Sequence, residues 1–257
     1  QCAGAAVLVG VVLREIRRPW PRPGTEPGPP APLKDKELPA DLASYSRLRL
    51  VWFNLQRGWL GQFSAVAYFL LLRLDQGLLA KFHGAAEVGV YSVAVHLGEM
   101  LWLLPGALTP LLVHSSAADS GDPDRNRTAV RAVALGVAVT LVAAIPLAMV
   151  AAPLLGWLAG GVYSSAAPAL RALLPGIVAF APGAVLAGDF IGRGKPHWNT
   201  QASVLTVVVN LAAGLWLIPE HGAVGAAWSS TVAYACGSAL MLVRFRQAIL
   251  RDTAANS

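Results

Sequence analysis

The residues best suited to chemistry stand where charge is least expected. Arg73-Leu-Asp75-Gln76 interrupts an apolar run that begins near residue 52. His96 and Glu99, one helical turn apart, interrupt a second run, and Asp189 and Arg193 stand at i,i+4 where another ends. An ionisable group at the centre of a bilayer costs about 2.5–3.5 kcal/mol on insertion scales, so such groups mark substrate pathways, relays or internal ion pairs. Arg73 has two readings. It snorkels to the headgroups, or it faces an internal aqueous cavity and attracts an anionic group. Glu99 lies about 13 residues from either end of its run. An ionised carboxylate there needs a partner, and His96 and Arg73 are the nearest in kind. Arg73, Asp75, His96 and Glu99 are therefore the candidate substrate-binding residues.

Other patterns carry no chemistry. Asp122-Pro-Asp124-Arg-Asn126 has the acidic spacing that starts a calcium loop, but the sixth position is Arg127 and the closing glutamate is missing. Gly194-Lys195 has the ending of a phosphate loop, but Asp189 holds the earlier glycine position and Pro196 replaces Ser or Thr. His96 and Glu99 lack further metal ligands. No catalytic residue, metal or cofactor is expected.

The elements that must carry these residues are set by composition. Of 257 residues, 55% are hydrophobic and 13% charged, with a net charge of +6. Soluble domains hold about twice that charge. Hydrophobicity excludes disorder. Two distant cysteines, Cys2 and Cys236, argue against a disulfide scaffold, and scattered basic residues argue against a nucleic-acid partner. An integral membrane protein remains.

Six stretches are long enough to cross about 30 Å of hydrocarbon: 52–79, 86–113, 129–151, 167–190, 199–218 and 223–245. They lack period-2 alternation, and lipid offers no hydrogen-bond partners, so they are expected to be helices in one bundle over 52–245. Residues 1–13 read as the end of a severed membrane helix, which makes the chain a piece of a longer protein. Residues 14–51 read as a proline-rich connector followed by an amphipathic lead-in, and 246–257 as a tail.

Lysine and arginine set the orientation. Nine lie between Arg14 and Arg57; Arg125, Arg127, Arg131, Arg193, Lys195, Arg244, Arg246 and Arg251 fall on the same side if the spans alternate. Lys81 and Arg171 fall on the other. Both ends of the six-span region are thus expected in the cytoplasm, with Arg193 and Lys195 as cytoplasmic-side cationic candidates. Pro105, Pro110, Pro146, Pro175 and Pro182 are expected to interrupt spans. Small-residue stripes, Ala184/Gly188/Gly192 and Gly225/Ser229/Ala233/Gly237, predict close helix packing.

Three segments carry a family resemblance. The first is Arg73-Leu-Asp75 followed by Gly84-Ala-Ala-Glu87-Val-Gly89-Val-Tyr91-Ser92-Val-Ala94. The second is Gly192-Arg-Gly194-Lys195-Pro196 with Asn199, Thr200 and Asn210. The third is Leu217-Ile218-Pro219 with Gly222 and Gly225-Ala226-Ala227. In this order, over residues 50–245, they resemble the second half of bacterial polysaccharide flippases of the Wzx type, in the multidrug/oligosaccharidyl-lipid/polysaccharide exporter superfamily.

The resemblance implies an all-α membrane fold of two six-helix bundles, this chain holding the second and lacking the N-terminal one. It implies a lipid-linked oligosaccharide substrate on an undecaprenyl diphosphate carrier, moved between leaflets of the bacterial plasma membrane for polysaccharide biosynthesis. A peptidoglycan-precursor flippase and a cation-coupled drug exporter of the same superfamily are the alternatives, Asp75 and Glu99 carrying the coupling ion in the latter. A membrane polymerase would need a long outer loop with catalytic groups. Residues 152–166 hold no Asp, Glu, His, Lys or Arg.

Overall fold

The computed structural model describes residues 73–118 and 123–255. The severed helix (1–13), the connector and lead-in (14–51), most of the first expected span and the Asp122 turn lie outside the described residues.

Every described element is helical. Helix α1 covers 73–83, and Gly84 turns the chain at φ +88°, a conformation that side chains disfavour. Three helices follow end to end: α2 (Ala85–Met100), α3 (Leu103–Gly106) and α4 (Thr109–Ala118). The breaks at 101–102 and 107–108 flank Pro105, which has no amide hydrogen to continue the ladder. Helix α5 (Pro123–Ala159) ends at a 3₁₀ segment, Gly161–Ala166, that leads into α6 (Ala167–Gly192). Helix α7 runs from His197 to Ala255.

The expected interruption by proline is seen around Pro105 but not at Pro146, Pro175 or Pro182. Pro146 and Pro153 lie inside α5, Pro175 and Pro182 inside α6, and these helices stay continuous. One missing donor is tolerated when flanking turns and neighbours keep the remaining carbonyls satisfied.

Helix α7 reverses at Gly222, where φ is 53° and ψ −133°. Its arms fold back on each other. Asn210 bonds Ser230, Gln201 bonds Arg244, and Gly237 abuts Thr206. Four helical stretches are long and apolar enough to cross a membrane: Ala85–Ala117, Arg125–Leu158, Gly161–Gly192 and His197–Leu250. The last comprises both arms, each roughly 35 Å or longer at 1.5 Å per residue. The third expected span grows to a helix of 37 residues, while the fourth keeps its expected start at Ala167.

Helix α6 is the most buried of the four and touches α2, α4, α5 and α7. Glycines let the neighbours in. A Cβ on Gly176 would stand 2.5 Å from the Thr231 Cα. Gly188 meets the Thr109 carbonyl, and Gly192 would place a Cβ 2.7 Å from Ser116. The stripe Ala184/Gly188/Gly192 therefore packs against α4, and Thr109 Oγ1 donates to the Ala184 carbonyl at 3.1 Å. The outward face of α5 is apolar too. Val142, Met149 and Trp157 are exposed, Trp157 by 82%, as only a surface covered by lipid or by another apolar element should be.

Candidate functional site

Two polar clusters sit inside this apolar bundle. The first surrounds Asp75, which is 4% exposed. Helix α1 brings it against α2 and both arms of α7. Tyr91 Oη donates to Asp75 Oδ2 at 2.7 Å, and Ser230 Oγ donates to the same oxygen at 3.3 Å. The Gln76 amide donates to Oδ1 at 2.7 Å. Asn210 Nδ2 donates to Ser230 Oγ at 3.1 Å, while Asn210 Oδ1 is buried with no partner among the described residues. A carboxylate, a phenol, a hydroxyl and an amide thus share one buried pocket of hydrogen bonds, with one acceptor left over. Burying such groups is costly, so a bundle gains little stability from them over apolar residues.

Arg73 is half-buried beside this cluster. Its Nη1 donates to Gln76 Oε1 at 3.3 Å, and among the described residues it closes no ion pair. Glu99 is half-buried with Oε1 lacking a hydrogen-bond partner among the described residues. Neither His96 nor Arg73 closes the expected ion pair with it. His96 is exposed and its Nδ1 donates to the Ser92 carbonyl, so it turns away from the Asp75 cluster.

The second cluster lies at the end of the bundle that carries most described arginines. Asp189 is fully buried. Arg193 Nε donates to Asp189 Oδ2 at 2.6 Å, Nη1 to Asp252 Oδ2 at 2.9 Å and Nη2 to Asn126 Oδ1 at 2.7 Å. Arg125 Nη2 reaches the same Asp252 oxygen at 2.7 Å, and Ser116 Oγ donates to Asp189 Oδ1 at 2.5 Å. Burial would raise the Asp252 carboxyl, but hydrogen bonds and charge from Arg125 and Arg193 outweigh it and hold the carboxyl below its ordinary range. The cluster ties α4, α5, α6 and α7 together.

Arg193 thus has each of its three nitrogens engaged and is 4% exposed. It is a tether here. Lys195 differs: its ammonium rests 4.6 Å from the Trp198 ring centre, with no carboxylate partner among the described residues.

At the opposite end Glu87 accepts from the Ala223 amide at 2.8 Å, capping the second arm of α7 where it restarts. His83 donates through Nε2 to the Ile218 carbonyl at 2.8 Å and sets Nδ1 3.3 Å from Glu87.

The structure brings Arg73 and Asp75 together on α1, and Asp189 with Arg193. It leaves His96 apart. Sequence reading missed Tyr91, Ser230 and Asn210 as partners of Asp75. Tyr91 and Asn210 stood in the segments that carry the family resemblance, but nothing in their spacing tied them to a carboxylate.

Among the described residues, fold and sites together define an all-helical bundle with four stretches long and apolar enough to cross a membrane and a buried carboxylate, Asp75, held by hydroxyl groups. No protein-family model, no curated protein and no solved structure matches the chain.

Proposed function

We propose that the chain is the second bundle of an ion-coupled membrane transporter, a flippase that moves a lipid-linked oligosaccharide from the inner to the outer leaflet. The observation that carries the transporter reading is the Asp75 cluster. A carboxylate buried in an apolar bundle and held by Tyr91 and Ser230 rather than by a cation is costly to keep, which marks it as a candidate for function. In this reading Asp75 carries the coupling ion. Arg73, half-buried and free of ion pairs among the described residues, offers its guanidinium to the diphosphate of the carrier lipid. Lys195, at the basic end, attracts that headgroup before it enters. The basic end faces the cytoplasm, by the distribution of lysine and arginine, and the bacterial plasma membrane is what the family resemblance implies. The oligosaccharide itself rests on the resemblance of three ordered segments to polysaccharide flippases.

The test is transport by the full protein in liposomes that contain a fluorescent oligosaccharide on a polyprenyl diphosphate. Movement is read as protection of the sugar from an impermeant quencher. Arg73→Ala should slow movement at least tenfold and Arg73→Lys less, with both variants as abundant and as heat-stable as the parent. Equal loss of protein and of transport would make Arg73 structural. Equal rates with a diphosphate lipid and a neutral lipid would remove the substrate assignment.

A further inference from the structure

A cavity of about 140 Å³ opens between α6 and the two arms of α7, on the basic-end side of the Asp75 cluster. Asn199, Ser203 and Thr206 line it from the first arm and Ser238 from the second, polar groups set in a mostly apolar wall that includes Phe180 and Met241. Two of these residues hold unpartnered polar atoms among the described residues: Asn199 Oδ1, and Ser238 Oγ in a side chain only 4% exposed. Thr206 Oγ1 donates to the Ala202 carbonyl and keeps its lone pairs available. Unpartnered buried groups are unfavourable in a dry space and are normally satisfied by water. The volume has room for several waters.

The cavity has a direction. Asn199, Ser203, Thr206 and Asn210 recur at i, i+4, i+7 and i+11, which places them along one face of the first arm. This file climbs about 16 Å from the basic end to the Asp75 cluster, at 1.5 Å per residue. One turn separates Thr206, at the top of the cavity, from Asn210. There the free Asn210 Oδ1 offers the next acceptor, and Asn210 Nδ2 leads through Ser230 to Asp75. Beside this route Trp102, Phe180 and Tyr234 pack their rings 5.1–5.5 Å apart. On the other side of Asp75, toward Gly222, the side chains of Leu79, Tyr91 and Ile218 and the methyls of Ala226 and Ala227 are fully buried.

We propose that this cavity is a water-filled inlet that connects Asp75 with the basic end of the bundle and not with the opposite end. The inference rests on the reading of Asp75 as the ion-coupling group and adds its route of access. A transporter needs its coupling group open to one side at a time, and this conformation opens Asp75 to the side of Asn199.

Cysteine accessibility tests it. In full-length protein with Cys2 and Cys236 replaced by alanine, Ser203→Cys, Thr206→Cys and Ser238→Cys are each exposed to a small, charged, membrane-impermeant thiol reagent. Sealed vesicles of either orientation present one end at a time. All three cysteines should react from the basic end at least tenfold faster than from the other. Ser203→Phe, which fills the cavity, should slow labelling of Thr206→Cys at least tenfold while the protein remains monodisperse. An unchanged midpoint of thermal unfolding shows that each variant has kept its packing. Labelling from the opposite end, or a failure of all three to react in protein that stays monodisperse and as heat-stable as the parent, overturns the inlet. Asp75→Asn separates the two readings: if the inlet labels but transport keeps its pH dependence in that variant, Asp75 is not the coupling group and only the proposed function fails.

Discussion

Replacing Arg193 with alanine removes three hydrogen bonds at once and leaves the fully buried Asp189 with Ser116 as its remaining described side-chain partner. Breaking a buried ion pair from one side costs about 3–5 kcal/mol, because the surviving charge is then buried alone. For a chain of this length that lowers the midpoint of thermal unfolding by about 6–20 °C, on the scale of soluble proteins. Arg193→Lys should cost less, since lysine keeps the charge near Asp189 but cannot reach Asp252 and Asn126 with a planar fork. Asp189→Asn provides the decisive background. With no charge left at position 189, the further change Arg193→Ala should cost only about 1–2 kcal/mol, the scale of the lost hydrogen bonds to Asp252 and Asn126. The four proteins form a double-mutant cycle, read by thermal unfolding in lipid nanodiscs. A coupling of about 2 kcal/mol or more supports the tether. Additive effects, or an Arg193→Ala protein within 1 kcal/mol of the parent, would refute the claim that a buried charge pair holds this end together.

Three further outcomes follow from other positions. Asp252 is held ionised below its ordinary range by Arg125 and Arg193, so its stabilisation is present above about pH 4 and is lost as pH falls through its lowered value. Acid unfolding should therefore shift in Asp252→Asn, where this contribution is absent, and high salt should reduce the difference because the group is partly exposed. Gly222→Ala forces a side chain into a backbone conformation essentially confined to glycine and into contact with Glu87. It should cost at least about 1–3 kcal/mol in the same unfolding assay, and a neutral result would place the hairpin turn elsewhere. Gly176→Leu should cost about 1–3 kcal/mol or more by overpacking against the Thr231 backbone, whereas Gly89→Leu, with open space around it, should change stability little.

Much of the bundle was legible because lipid imposes a simple rule. Long apolar runs must be helices, and the expected start of α6 at Ala167 matches the structure. Of the four glycines with positive φ among the described residues, Gly84, Gly194 and Gly222 stand in the segments singled out from the sequence, and Gly160 does not. Proline was over-read, because its effect depends on whether neighbours satisfy the freed carbonyl, and that is a property of packing. The site was half legible. An i,i+4 pair such as Asp189 and Arg193 is local, so spacing reveals it. The partners Asn126 and Asp252 are not, because they reach the pair only when α5 and α7 close on α6. Asp75 stood out as a charge in an apolar run. Its hydrogen bond from Ser230 spans most of the bundle in sequence and comes from the fold alone.

Asp75 is proposed to be the coupling group of a flippase. The most direct test measures movement of a polyprenyl-diphosphate oligosaccharide by the full protein in liposomes, with and without an imposed ion gradient. The parent protein should move the lipid faster when the gradient is present. Asp75→Asn should lose that acceleration while keeping its fold, since asparagine preserves the shape and the hydrogen bond from Tyr91. Movement that responds to the gradient equally in both proteins, or no movement of the lipid by the stable parent, would contradict the account.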